Sequence, residues 1–150
     1  MKTIIAIWGT EQIGKTTVIR ETCKKLLTLK GATRRKLVGS LEKDDFYAEI
    51  DYNSKNIGIV SWGDPGSQQD QYLNEALFAY CDIIIIACRT KGATITNIIN
   101  AAKNPNDPNN PNYEVVWTSH FSGGNNGRLP NGLNLNDSFA DALINLINQL

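Results

Sequence analysis

The segment DIIIIAC, residues 82–88, places four isoleucines in succession. Alternate side chains of a β-strand point to opposite faces of the sheet, so a strand built from this run is apolar on both faces. Strands of this kind occur where helices cover both faces of a parallel sheet. Two further apolar runs, Lys2–Trp8 and Tyr113–His120, have the same character. The sequence therefore predicts an α/β fold built on a mainly parallel sheet.

Segments with helical periodicity alternate with these strands. Apolar residues recur at three- and four-residue spacing after Thr16, over Ser67–Tyr80 and over Thr94–Lys103. The C-terminal segment repeats the pattern, and either Asn136 or Asp137 is the expected N-cap of its helix. The alternation predicts helices on both faces of the sheet.

Two β-rich segments, Phe46–Tyr52 and Asn56–Trp62, are separated by a turn-like stretch that is short enough to predict an antiparallel hairpin. The polar segment before them is expected to be irregular, with Lys36–Ser40 as a candidate short strand. Prolines at every third position make Asn104–Asn112 a surface loop. We expect one three-layer domain over residues 1–150, with a sheet of roughly five strands and one antiparallel edge strand from the hairpin.

Charge and cysteine content narrow the class of protein. The chain carries 15 Lys plus Arg and 15 Asp plus Glu, so its net charge of zero gives no reason to expect a nucleic acid or a membrane surface as a general partner. No apolar run approaches the roughly 18 residues of a membrane span, and a glycine-rich stretch interrupts the N-terminal run too early for a signal peptide. We expect a cytoplasmic protein with buried free thiols, at Cys23, Cys81 and Cys88.

A glycine-rich motif follows the first predicted strand directly. The stretch Gly9–Thr16, GTEQIGKT, fits G-x-x-x-x-G-K-[ST], a loop that wraps the phosphates of a nucleotide. An apolar strand precedes it and a helical pattern follows it, which is the context that this motif requires. On these residues the chain resembles the P-loop NTPase superfamily, and the resemblance implies the three-layer fold of that superfamily.

The resemblance also implies a role for the residues of the loop. Main-chain N–H groups of the loop and of the helix N-terminus would bind phosphate oxygens. The Lys15 ammonium would reach the β- and γ-phosphates, the Thr16 hydroxyl would hold Mg²⁺, and Thr17 would pack or contact the α-phosphate. The predicted nucleotide-binding residues are Gly9, Thr10, Glu11, Gln12, Ile13, Gly14, Lys15, Thr16 and Thr17.

A second candidate site follows the hairpin. Asp64 comes just beyond the end of the second hairpin strand and precedes Pro-Gly. A strand-terminal Asp is the expected partner of the magnesium ion at a P-loop, either directly or through a bound water. The predicted metal ligands are therefore Thr16 and Asp64, and the predicted catalytic residues are Lys15 and Asp64. An ordinary Asp-Pro-Gly turn is the alternative.

Comparison with the subfamilies favours ATP over GTP. The order of P-loop, hairpin and Asp is similar to that of small GTPases, but their D-x-x-G is matched neither from Gly63 nor from Asp64, and their N-K-x-D is missing. Glu11 and Gln12 stand where partition ATPases carry an extra lysine, and the arginine-rich lid of small kinases is not evident.

Several further residues have both a functional and a structural interpretation. Arg89 and Arg128 would bind phosphate oxygens or lie in solvent, and His120 would contact the nucleotide or be structural. Asp44 and Asp45 would act as a base on an acceptor hydroxyl or form a solvated loop pair, and the second interpretation is favoured.

Three functional hypotheses follow from these residues. The leading one is Mg²⁺-dependent binding of a nucleoside triphosphate, ATP in preference, with cleavage of the β–γ bond by electrostatic stabilisation from Lys15, the loop amides and Mg²⁺. The second is a small-molecule or nucleotide kinase with an acceptor pocket near residues 40–47. The third is a slow nucleotide-dependent switch that binds a protein partner.

Overall fold

The computed structural model describes residues 2–9, 15–64, 66–89, 92–103, 113–119 and 134–150. Strands and helices alternate along much of this part of the chain. The strands are β1 (Lys2–Trp8), β2 (Thr33–Gly39), β3 (Phe46–Tyr52), β4 (Lys55–Val60), β5 (Ile83–Cys88) and β6 (Tyr113–Ser119). The helices are α1 (Lys15–Thr28), α2 (Gln69–Phe78), α3 (Ala93–Ala102) and α4 (Leu135–Gln149).

The strands form one sheet in the order β2-β3-β4-β5-β1-β6. Strands β4, β5, β1 and β6 pair in parallel, whereas β3 runs antiparallel to both of its neighbours, β2 and β4. The carboxyl ends of the four parallel strands and the amino end of β3 therefore lie at the same edge of the sheet. Ligands of open α/β sheets bind at this edge.

The isoleucine run forms the centre of the sheet. Ile83–Ile86 pair on one side with Thr3–Ala6 of β1 and on the other with Ile57–Val60 of β4. Every residue of β5 is buried. The prediction of a strand covered on both faces is confirmed.

The helices cover the sheet in two separate layers. The buried odd-numbered residues of β1 and β5 pack in one apolar cluster with α1 and α4. Their buried even-numbered residues, from Ile4 and Ile84 onward, pack in a second cluster with α2 and α3. The predicted α/β architecture, with a largely parallel sheet between helices, is confirmed.

The edge of the sheet differs from the prediction. We expected roughly five strands with an antiparallel strand of the hairpin at the edge, but the described residues form six strands and the antiparallel strand β3 is internal. The edge strand on this side of the sheet is β2, in which Thr33 is followed by three consecutive cationic residues, Arg34, Arg35 and Lys36, with a register shift at this point. Charged side chains and bulges are common on edge strands because they discourage pairing with other chains. This polarity concealed the first part of β2 from a search for apolar runs, whereas the predicted short strand at Lys36–Ser40 overlaps its second part.

The N-cap of the last helix is also corrected. The Asn134 side chain accepts a hydrogen bond from the main-chain N–H of Asp137, at 3.2 Å. Asn134 is therefore the N-cap of α4, in place of the predicted Asn136 or Asp137, both of which lie inside the helix.

Among the described residues, no helix has the length and apolar character that crossing a membrane requires.

Candidate functional site

Lys15 is the first residue of α1 and lies at the carboxyl edge of the sheet. Its ammonium group donates hydrogen bonds to the main-chain oxygens of Gly9, at 2.7 Å, and Cys88, at 3.1 Å. The N–H of Gly9 donates to the same Cys88 oxygen, at 3.2 Å. Because Gly9 follows β1 and Cys88 ends β5, the lysine head group is held where these two neighbouring strands end.

The start of α1 has the electrostatic character of an anion site. Its first four residues, Lys15–Val18, include no acidic side chain, so the positive end of the helix dipole is not offset within its own first turn. Lys15 is 7% exposed, whereas Thr17 is exposed to solvent. A buried cation and a helix N-terminus therefore meet at this point.

The interior of the predicted phosphate-binding loop lies outside the described residues. Of its nine predicted ligands, the structure describes Gly9, Lys15, Thr16 and Thr17. The structure does not describe Thr10, Glu11, Gln12, Ile13 and Gly14, and His120 and Arg128 also lie outside the described part of the chain.

The Thr16 hydroxyl faces the carboxylate of Asp45. The distance between Thr16 Oγ1 and Asp45 Oδ1 is 3.5 Å, at the outer limit of a hydrogen bond. The same Oδ1 accepts a shorter hydrogen bond, 2.9 Å, from the hydroxyl of Ser61, which follows β4. Ser61 is buried and its Oγ also accepts from the N–H of Phe46, at 2.8 Å. Ser61 therefore fixes the Asp45 carboxylate in front of Thr16.

The turn between β2 and β3 brings Asp45 to α1. Gly39 ends β2 with a positive φ of 87°, and a Cβ built at this position would collide with the main-chain oxygen of Asp45. Glycine therefore permits a close approach that another residue would prevent. On the other side of the turn, Arg20 of α1 donates to the main-chain oxygen of Asp44, at 2.5 Å.

Asp64 has a different partner from the one predicted. Its carboxylate forms an ion pair with the guanidinium of Arg89, with 2.8 Å between Oδ1 and Nε. Asp64 follows β4 and Arg89 follows β5, so the pair bridges two neighbouring strand ends. The structure therefore brings Thr16 together with Asp45, and Asp64 together with Arg89. Direct binding of Mg²⁺ by Asp64 stays a prediction.

The donor set at Thr16 and Asp45 fits a magnesium ion. Mg²⁺ prefers hard oxygen ligands at about 2.1 Å in octahedral geometry, so two adjacent ligands stand about 3 Å apart, close to the observed separation. The described residues include no cluster of three or more His, Cys, Asp or Glu side chains. Mg²⁺ needs no such cluster, since it is commonly bound through one or two carboxylates, substrate phosphates and water.

Thiol chemistry does not fit the same edge of the sheet. Burial raises the pKa of the Cys88 thiol to about 11, although the Lys15 ammonium acts in the opposite direction. A thiol with this pKa is almost fully protonated at neutral pH and is a poor nucleophile. The polar chemistry of this edge therefore rests on the lysine, the hydroxyls and the carboxylates.

Asp45 is the residue whose position beside Thr16 the sequence did not reveal. From the sequence, Asp45 was interpreted as either a base or a solvated loop residue, whereas the structure places its carboxylate 3.5 Å from the Thr16 hydroxyl. Two signals were available, namely its position just before a strand and the glycine that ends the preceding β2. Neither signal specifies that the turn packs against α1.

Comparisons of the chain with protein-family models, with curated proteins and with solved structures gave no match. The functional argument therefore rests on the residues and on their geometry.

Proposed function

We propose that the chain binds a nucleoside triphosphate with Mg²⁺ and cleaves its β–γ bond, as a member of the P-loop NTPase superfamily. The observation that carries this proposal is the position of Lys15. A lysine that the motif assigns to phosphate binding lies at a helix N-terminus, at the carboxyl edge of a largely parallel sheet, with its ammonium group held by the ends of β1 and β5. An anion bound there would be attracted by a buried cation and by the helix dipole.

The contact between Thr16 and Asp45 supports the metal-dependent part of the proposal. The Thr16 hydroxyl and the Asp45 carboxylate would hold Mg²⁺, and Ser61 would orient the carboxylate through its 2.9 Å hydrogen bond. When bound, the ion would neutralise charge on the phosphate oxygens. Lys15 would stabilise the negative charge that develops as the terminal phosphoryl group leaves.

The choice of ATP rests on sequence alone. The N-K-x-D pattern by which small GTPases recognise guanine is missing from the chain. A kinase would additionally need a base beside the terminal phosphate, whereas the Asp45 carboxylate faces the Thr16 hydroxyl, which supports a role in metal binding. Hydrolysis is therefore favoured over transfer to an acceptor.

Calorimetric titration with ATP and with GTP, in Mg²⁺ and in EDTA, tests the binding step. We expect Lys15→Ala to weaken ATP binding by tenfold or more, as loss of a charged hydrogen bond of about 1.5–3 kcal/mol implies. Lys24→Ala is the matched control, because Lys24 lies on the same helix and forms a long ion pair, 3.7 Å, with the largely exposed carboxylate of Glu42. Failure of the wild-type chain to bind either nucleotide would refute the proposal.

The metal site has its own matched pair of variants. We expect Asp45→Asn to remove most of the difference in ATP affinity between Mg²⁺ and EDTA, an effect of about tenfold or more by analogy with the loss of groups that support metal sites. Asp44→Asn is the matched control, because it removes the neighbouring charge at an exposed position. Asparagine also tolerates the positive φ of 64° that Asp44 adopts. Equal effects of the two substitutions would exclude Asp45 as a ligand. Release of inorganic phosphate from ATP measures the cleavage step.

A further inference from the structure

The ion pair between Asp64 and Arg89 is a feature that the proposed function does not use. The two side chains meet at the edge of the sheet where Lys15 lies, and the Asp64 side chain is 56% exposed while that of Arg89 is 24% exposed. Ion pairs with this degree of exposure contribute little to stability, because water and salt screen them. The pair can therefore open at small cost when a stronger partner for the guanidinium is present.

Two hydrogen bonds hold the main chain that leads into Arg89. The N–H of Arg89 donates to the hydroxyl of Thr94, at 2.9 Å, and Thr94 is buried. Two residues earlier, the oxygen of Ala87 accepts a hydrogen bond of 2.8 Å from the buried side chain of Gln69. These two hydrogen bonds fix the main chain from which the long side chain of Arg89 starts.

That starting point lies next to the phosphate-binding lysine. The main-chain oxygen of Cys88, the residue before Arg89, accepts hydrogen bonds from both the Lys15 ammonium and the N–H of Gly9. Strand β5 is the direct neighbour of β1, so Arg89 follows the strand that pairs with the one preceding the predicted loop. The Lys15 ammonium therefore lies beside the main chain from which the Arg89 side chain starts, at one edge of the sheet.

We propose that Asp64 and a bound polyphosphate compete for Arg89. In the absence of nucleotide, Asp64 holds the guanidinium; when a triphosphate binds at Lys15, Arg89 exchanges the carboxylate for phosphate oxygens. A guanidinium forms two parallel hydrogen bonds with phosphate, which carries more charge than a carboxylate, so the exchange is favourable. This inference rests on the proposed function and gives Asp64 a role that differs from binding of the metal: it restrains nucleotide affinity.

The competition and the metal-ligand hypothesis predict opposite effects for one substitution. If Asp64 competes for Arg89, Asp64→Asn releases the guanidinium and tightens binding, with Mg²⁺ or without it. If Asp64 binds the metal, the same substitution weakens binding, and only in Mg²⁺. Titration with inorganic tripolyphosphate and with ATP, each in EDTA and in Mg²⁺, separates these outcomes.

We expect Asp64→Asn to tighten binding of both ligands about threefold to tenfold, and Arg89→Gln to weaken it about tenfold, within the range for charged hydrogen bonds. Arg89→Lys, which keeps the charge and loses the two-point geometry, should give an intermediate affinity. In the Asp64→Asn/Arg89→Gln double variant the tightening should disappear, because Asp64 acts through Arg89. Asp70→Asn removes a charge at an exposed position of α2 and serves as the control for a general electrostatic effect.

The other possible results of these titrations would overturn the proposed competition for Arg89. The inference is overturned if Arg89→Gln leaves both affinities unchanged, if Asp64→Asn weakens binding only in Mg²⁺, or if Asp64→Asn and Asp70→Asn have equal effects. If the wild-type chain binds neither ATP nor tripolyphosphate, the proposed function fails, and this inference fails with it. Thermal unfolding of each variant verifies that the compared proteins are folded.

Discussion

Substitution of Gly39 by alanine is the sharpest structural test of the site. Gly39 ends β2 with a φ of 87°, and a Cβ there would collide with the main-chain oxygen of Asp45 and lie 3.1 Å from the Cα of Phe46. Both neighbours are main-chain atoms, which cannot move aside by a simple side-chain rotation. The turn that presents Asp45 to Thr16 would therefore have to shift.

Gly31 provides a control with almost the same backbone conformation. Its φ is 86°, and a Cβ at this position has no atom within 4 Å among those described. Gly31→Ala therefore adds only the strain of a left-handed backbone, about 1–2 kcal/mol. Gly39→Ala adds the same strain and a steric term of about 1–3 kcal/mol, typical of overpacking, so its total cost is about 2–5 kcal/mol.

Two measurements follow from this difference. Urea unfolding should give a lower free energy of unfolding for Gly39→Ala than for Gly31→Ala, and the melting temperatures should differ by about 2–4 °C per kcal/mol for a chain of this size. At a temperature where both variants are folded, Gly39→Ala should lose the Mg²⁺-dependent part of ATP binding while Gly31→Ala keeps it. Equal stabilities, or a Gly39→Ala protein with unchanged Mg²⁺ dependence, would refute the reasoning.

Two further predictions concern the helix cap and the buried thiols. Asn134→Ala should lower the free energy of unfolding by about 0.5–2 kcal/mol in urea titrations, because it removes the cap of α4, and an unchanged midpoint would contradict that assignment. Burial in the folded chain raises the pKa of each thiol above its ordinary value of 9.0. Above pH 9 the unfolded chain therefore loses thiol protons that the folded chain keeps. The free energy of unfolding should keep its full value below pH 9 and fall as the pH rises beyond it. The folded-state pKa values are about 12, about 12 and about 11 for Cys23, Cys81 and Cys88. Thermal unfolding between pH 7 and 11 measures the decline, and Cys88→Ala should make it less steep.

The parts of the fold that were predictable are those in which local pattern and burial agree. Strands β1 and β3 were predicted with the bounds that the structure gives, and β5 to within one residue. The apolar runs of β1 and β5 are also buried runs, and the first five residues of the β-rich segment β3 are buried. Strand β2 was only partly recognised. Three consecutive cationic residues occupy its solvent-exposed part, and cross-strand partners such as Glu49 and Asp51, which pair with Arg35, are distant in the sequence. Edge strands are specified by such partners more than by their own composition.

The candidate site was predictable as far as a local motif extends. The motif and its flanking strand and helix predicted Lys15 and Thr16 as ligands, because a glycine-rich turn before a helix N-terminus favours phosphate binding, and the structure places both residues at the start of α1. The partner of Thr16 was not predictable in this way. Asp45 lies 29 residues further along the chain, and its placement depends on how the turn after β2 packs on α1. A statement about packing between distant segments needs coordinates.

The order of the strands explains which carboxylate meets the Thr16 hydroxyl. Strand β5 lies between β1 and β4, and adjacent strands are about 4.8 Å apart, so the end of β4 stands about 10 Å from the end of β1. Asp64, which follows β4, meets Arg89 at the end of the intervening strand. Asp45 comes from farther away in the sheet, but its turn packs on α1 and crosses that gap. The order of the residues along the chain favoured Asp64 as the partner of Thr16. That order does not specify that β5, which comes later in the chain, lies between β1 and β4 in the sheet. If β4 were instead the direct neighbour of β1, Asp64 would be the carboxylate nearer to Thr16. Asp64→Asn, rather than Asp45→Asn, would then be expected to remove the Mg²⁺ dependence of ATP binding.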